Sequence, residues 1–189
     1  VRTKAVFTGK LPVAIAIGDN QASFLGSVAE PENSVLVNVG TGSQVSFMTK
    51  STLAPEGCEI RPLTDKDYIF VGASLCGGRA YAILKSFFTM CAEMLHGDAD
   101  NLYSKMDTLS EGVFDLTDEL VVNCEFCGTR QNPEKRGFIE NIGTDNFTPQ
   151  NLICGVLKGV SKELYDMYSS AESLLDTPPV NLVCSGNGL

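Results

Sequence analysis

An α/β domain, a mixed sheet flanked by helices, is the fold class this sequence predicts, and three observations predict it. Two β-type runs, "SVLVNVG" and "SQVSFMT", are joined through Thr41-Gly42 as an antiparallel hairpin. Further short β runs alternate with long stretches whose apolar residues recur every three or four positions. A hairpin extended by strands that lie beyond intervening helices gives a sheet of mixed direction with helices packed on it.

The elements follow in order. "LPVAIAIGD" reads as a buried strand ended by glycine, and "NQASFLGSVAE" as a short helix over residues 20–29 that Asp19 can cap. In the hairpin, Gly42 stands where a tight turn asks for positive φ. "YIFVGASL" is a third strand. "GGRAYAILKSFFTMCAEML" is helical, with Tyr81, Leu84, Phe88, Cys91 and Leu95 on its buried face. "NLYSKMDTLSEG" is a second, shorter helix, "ELVVNCEFCG" a strand and "TRQNPEKRG" a polar loop. "TPQNLICGVLKGVSKELYDMY" carries a cap at Thr148, a proline in the first turn and a stripe of Ile153, Leu157, Val160, Leu164 and Met167. "PPVNLVCSGNGL" is a last strand running into a glycine turn, where a following helix would begin; the expectation is a piece of a longer protein.

Composition narrows the function classes. The chain has 189 residues, enough for a sizeable core, with 43 % hydrophobic and 20 % charged residues. A net charge of −9 disfavours nucleic acid and anionic membranes as partners, since phosphates are repelled on average. No run reaches the roughly 18 apolar residues of a membrane helix. Seven scattered cysteines, several at apolar positions, fit reduced thiols in the cytoplasm better than a disulfide framework. "CEFC" at 124–127 lacks a second pair, and His96 is the one histidine, so no metal site is expected.

Three glycine-rich turns follow strands: "GTGS" at 40–43, "SLCGG" at 74–78 and "CSGNGL" at 184–189. Glycine lets a backbone approach an anion and its amides cradle phosphate oxygens. "GTGS" alone is equally readable as a hairpin turn, "GG" before a helix reads first as turn geometry, and neither the P-loop nor the dinucleotide fingerprint is present. Asp19 has two readings, a helix cap and a general base at the rim of the sheet. Ser43 has no histidine near it in sequence, which argues against a hydrolase triad. Arg130, Lys135 and Arg136 read as solvated charge, with contact to a ligand or another domain as the alternative. His96 reads as a charge at a helix C-terminus.

Taken in order, "PVAIAIGDNQASFLGS", "VLVNVGTGSQVSF", "VGASLCGG", "CGTRQNPEKRG" and "VCSGNGL" resemble the C-terminal domain of the FGGY carbohydrate kinases over almost the whole chain. Within that family, "VGASLCGG", "LYSKM" and the arginine-proline loop are similar to sedoheptulokinase-like members. The resemblance implies an actin-like, ribonuclease-H-type fold for residues 1–189, without the N-terminal domain and the last C-terminal segment. It implies ATP-dependent phosphorylation of a sugar hydroxyl, a ketose such as sedoheptulose, in a cleft between two domains. On that basis Asp19 is the general base. Gly40, Thr41, Gly42 and Ser43 hold ATP phosphates, and Gly77 and Gly78 lie near the transferred group. Gly186 and Asn187 sit by adenine or ribose, and Asn20 and Gln21 reach the sugar. Mg²⁺ would be held through the nucleotide and the missing domain. The implied partners are the sugar and the chain's own N-terminal domain, and a homo-oligomer is compatible. The isolated piece is expected to be inactive. Thr129 stands where the family commonly has glutamate, and Gln131-Asn132 precedes the proline. The alternatives are a non-catalytic, nucleotide-gated regulatory domain of the same fold, a small-molecule binding module without nucleotide, and a cysteine-based redox or metal protein centred on "CEFC".

Overall fold

A computed structural model describes residues 6–8, 11–13, 16–113 and 116–188; Ala14, Ile15 and Leu189 of the stretches above lie outside them. Strands β1 (Val6–Thr8) and β2 (Leu11–Val13) form an antiparallel pair of their own. The buried strand expected over "LPVAIAIGD" therefore needs correction. Strand structure is described over Leu11–Val13, and Ala16–Gly18 is irregular and exposed, with Ile17 at 50 %. Helix α1 (Asp19–Ser27) follows.

The main sheet is built from β3 (Ser34–Val39), β4 (Ser43–Thr49), β5 (Glu59–Pro62), β6 (Tyr68–Ser74) and β9 (Asn181–Ser185). Its order is β5-β6-β4-β3-β9. β9 runs parallel to β3 and the other neighbours are antiparallel, so the sheet is mixed, as the hairpin and the alternation of elements predict. Between β6 and β9 the chain forms α2 (Gly78–Met94), α3 (Leu102–Ser110), a separate antiparallel pair β7 (Val121–Asn123) and β8 (Phe138–Glu140), and α4 (Pro149–Ala171). "ELVVNCEFCG" thus supplies a strand that pairs with the end of the polar loop and not with the main sheet.

Period-two alternation decides which side chains meet which helix. Val35, Val39, Val45, Phe47 and Phe70 face α4, packing with Leu164 and Ala171. Leu36, Ile69 and Val71 face the other way, where Phe24 and Val28 beside α1 cover them. Phe47 and Phe70 are direct cross-strand partners with stacked rings, centroids 4.7 Å apart. A third cluster joins Ala80 and Leu84 of α2, Met106 of α3, Ile153 and Val156 of α4 and Val122 of β7.

Local signals explain the helix ends. The Thr148 side chain accepts the Asn151 N–H at 3.1 Å with Pro149 in the first turn, a cap that contributes about 1 kcal/mol. At the end of α2, His96 adopts φ 53° and its amide donates to the Glu93 carbonyl, so it closes the helix with its backbone. The stripe expected along α2 is buried at Leu84, while Leu95 is 73 % exposed past the helix end.

Candidate functional site

The sheet register brings the glycine turns together. Val39 is opposite Ser43, Ser43 is opposite Ser74, and Asn38 is opposite Ser185. The ends of β3, β6 and β9 and the start of β4 therefore lie side by side, and residues 40–42, 75–77 and 186–188 leave from the same end of the sheet. Hydrogen bonds lock them into one shelf. Gly78 N–H donates to the Gly40 carbonyl at 2.7 Å, Arg79 N–H to Thr41 at 3.0 Å, and Gly188 N–H to Val39 at 2.9 Å. Asn38 Nδ2 donates to Ser185 Oγ at 2.8 Å.

Crowding explains most of the glycines. A Cβ on Gly77 would lie 2.5 Å from the Gly42 carbonyl, one on Gly42 2.5 Å from the Ser74 carbonyl oxygen, and one on Gly78 2.7 Å from the Gly40 oxygen. The positive φ expected at Gly42 is corrected. The described glycines with positive φ are Gly57, Gly128 and Gly186, and Gly42 is required by close approach instead. Gly186 needs both, with φ 104° and a would-be Cβ against the Val39 carbonyl.

The shelf has features that suit a phosphate chain. Thr41 and Asn187 are exposed on it, and Ser43 Oγ is buried without a hydrogen-bond partner. The N-terminus of α2 and the Arg79 side chain add positive potential. The Gly78 and Arg79 amides are already spent on hairpin carbonyls, so Gly77 and Gly78 serve close packing of the turns.

Asp19 lies elsewhere on the molecule. Gly18 occupies the N-cap and Asp19 is the first helical residue, a shift of one from the cap expected. Its exposed carboxylate accepts the Asn20 N–H at 2.8 Å. The next turn is anchored by Gln21, whose Nε2 donates to the Pro62 carbonyl at 3.1 Å, while its Oε1 is buried and unpartnered. Pro62 pairs with Tyr68, at the opposite end of β6 from Ser74. Six residues of extended strand separate those levels by about 20 Å. The structure thus gathers the glycine turns and holds Asp19, Asn20 and Gln21 on a helix fixed to the other end of the sheet.

The sequence reading missed Glu163, which its spacing of three from Val160 and four from Met167 places on the apolar face of α4. It reaches from α4 to Ser74, whose hydroxyl also accepts the Cys76 N–H at 3.2 Å. Glu163 Oε2 is buried without a partner. Burial pushes its carboxyl above the ordinary 4.5, and the Ser74 hydroxyl offsets part of that rise. A carboxyl raised in the folded state favours folding below the unfolded value and opposes it above. Glu163→Gln is therefore more stable than wild type at pH 7, and the difference closes as pH falls toward about 4.5. Urea unfolding of both proteins at the two pH values checks this.

The two cysteines of "CEFC" part company. Cys124 Sγ donates to the Val156 carbonyl at 3.4 Å, and Cys127 Sγ lies 3.7 Å from Cys76 Sγ. Among the described residues no cluster of three or more His, Cys, Asp or Glu is placed to hold a metal ion. The cations of the basic loop have protein partners: Arg130 pairs with Glu59 of β5, Lys135 with Glu125 at 2.8 Å, and Arg136 donates to the Pro133 carbonyl at 3.0 Å. Among the described residues no helix is long and apolar enough to cross a membrane.

No family model and no curated protein sequence matches this chain. Solved structures do. Xylulose kinase from Rhodospirillum rubrum superposes with a TM-score of 0.72 at 18 % identity, over 91 % of this chain and 34 % of that one. Gluconate kinase from Lactobacillus acidophilus gives 0.70 at 19 %, over 90 % and 34 %. Plasmodium falciparum glycerol kinase with ADP gives 0.66 at 18 %, over 94 % and 35 %. The fold is that of the actin-like ATPase domain of FGGY carbohydrate kinases, and the chain spans about a third of their length.

Proposed function

We propose that this chain is one domain of an ATP-dependent sugar kinase, supplying the nucleotide shelf and the general base. The observation that supports it most is the meeting of three glycine turns at one end of a sheet whose fold is shared with carbohydrate kinases. Phosphoryl transfer asks a protein for positioning, charge neutralisation and a place for one proton. On this reading Thr41 and Ser43 orient the phosphate chain, and Arg79 and the α2 N-terminus offset its charge. Gly186 and Asn187 border the nucleoside, and the Asp19 carboxylate takes the proton of the sugar hydroxyl while Asn20 and Gln21 orient it. ATP supplies the phosphoryl group, and Mg²⁺ would be carried by its phosphates, assisted by the other domain. The other domain also completes the sugar site, and a ketose such as sedoheptulose is the substrate favoured by "VGASLCGG" and "LYSKM". Seven free thiols and a need for ATP suit the cytoplasm.

Calorimetric titration with MgADP tests the shelf directly. Saturable binding by this chain, lost in Gly42→Val, is the expected result; no heat of binding at millimolar nucleotide sinks the shelf reading. Ketose-dependent ADP release is expected from the two-domain protein and not from this chain alone.

The anchoring of α1 at Pro62, about 20 Å along the strands from the shelf, favours one second reading. In it the domain binds nucleotide and regulates a partner without catalysis, and Asp19 is a helix-end residue. Sugar phosphorylation by an Asp19→Asn variant separates the two.

A further inference from the structure

We infer that Cys127 and Cys76 form a peroxide-oxidised thiol pair that closes to a reversible disulfide beside the shelf. Their sulfurs are 3.7 Å apart although the residues are 51 positions apart in sequence. Reaching a disulfide length of about 2.05 Å asks for a sulfur displacement of under about 2 Å. The two thiols are differently placed. Cys127 is half-buried in the turn after β7, and the exposed Arg79 donates to its sulfur from Nη1 at 3.6 Å. Cys76 is fully buried in the turn between Ser74 and Gly77. Burial, then the adjacent Cys127 sulfur, pushes its thiol up to about 12, so it stays protonated. Cys124, the sequence partner of Cys127, is turned away to the Val156 carbonyl.

The chemistry closes in two steps. The Cys127 thiolate attacks one oxygen of hydrogen peroxide; the O–O bond breaks, hydroxide leaves and becomes water with a solvent proton, and Cys127 is a sulfenic acid. Cys76 sulfur then attacks Cys127 sulfur; the S–S bond forms, the S–O bond breaks, and the departing hydroxide takes the Cys76 proton as a second water. Two thiols are oxidised by two electrons and one peroxide is reduced. The bridge ties the 128–137 loop to the 74–78 turn, so the redox state acts on the shelf's geometry. The pair stands on thiol placement alone, and its readout needs no kinase activity.

The test is peroxide treatment of the purified protein, alkylation of free thiols, digestion without reductant and peptide mass mapping. The expected product is a peptide pair joining Cys76 and Cys127, lighter by two hydrogens and released by dithiothreitol. Cys127→Ser abolishes it. Arg79→Ala slows its formation by about threefold or more, and Arg79→Lys retains most of the rate, since a cation remains beside the sulfur. Cys127 joined to Cys124, Cys127 oxidised while Cys76 stays free, or no reaction at Cys127 before exposed Cys184 would each overturn the assignment.

Discussion

Asp19→Asn in the two-domain protein lowers sugar phosphorylation by about 10²–10⁴-fold, the usual contribution of a positioned general base. MgADP affinity and unfolding midpoint stay near wild type. The separation is expected because of what Asp19 touches. Its carboxylate is exposed and accepts one backbone amide, from its neighbour Asn20. Asparagine keeps an acceptor oxygen at that point and gives up charge, which near a helix N-terminus costs about 0.3–1 kcal/mol. The fold has little to lose, and on the proposed reading the proton acceptor is lost entirely. The measurement is kcat and KM for the sugar together with a nucleotide titration. Near-normal kcat in the variant removes Asp19 from catalysis and leaves the nucleotide-gated reading in possession. On the proposed reading the triphosphate and the sugar together must span the roughly 20 Å between the Ser74 end of β6 and the Pro62 end of β5, since the base has to lie within hydrogen-bond reach of the hydroxyl.

Gly77→Ala destabilises the domain by about 3 kcal/mol and weakens MgADP binding. The added methyl would meet Gly42 C and O at 2.5 Å and Ser43 N at 2.8 Å, all backbone atoms of a hairpin pinned by the bonds from Gly78 and Arg79. No rotamer relieves a clash between two main chains, so the turns must separate and the shelf opens. Gly26→Ala is the control. It lies in α1 with no atom within 4 Å of its would-be Cβ, and it gains about 0.5 kcal/mol from helix propensity. Urea midpoints of the two variants moving in opposite directions is the expected result. A Gly77→Ala protein that unfolds with wild type means the shelf is loosely held, and the close-packing account of its glycines fails.

How much was legible can be judged from particular residues. The α4 helix was readable because Thr148, Pro149 and the Ile153–Leu157–Val160–Leu164 spacing are local signals, and the structure places its cap and its first turn accordingly. The β3–β4 hairpin was equally clear, from β-branched runs around a short glycine turn. Three strands escaped, β1 among them with only three residues. β5 is four residues with a terminal proline, and β8 is three residues at the end of a polar loop; all three are too short for a period to emerge. Glu163 escaped because one polar position on an apolar stripe is read as noise until Ser74 is seen across from it.

By itself, then, the order of residues determined the helices, the hairpin and the alternation that makes a mixed sheet, since capping, periodicity and turn chemistry act between neighbours a few positions apart. Only the tertiary structure decided that β7 pairs with β8 outside the main sheet, that β9 lies parallel to β3, and that three distant glycine turns share one shelf while α1 is moored at the far end. Those choices depend on side-chain packing and backbone approach between segments separated by up to about 150 residues, as between Asn38 and Ser185, and no local pattern encodes which distant surface a strand or a thiol will meet.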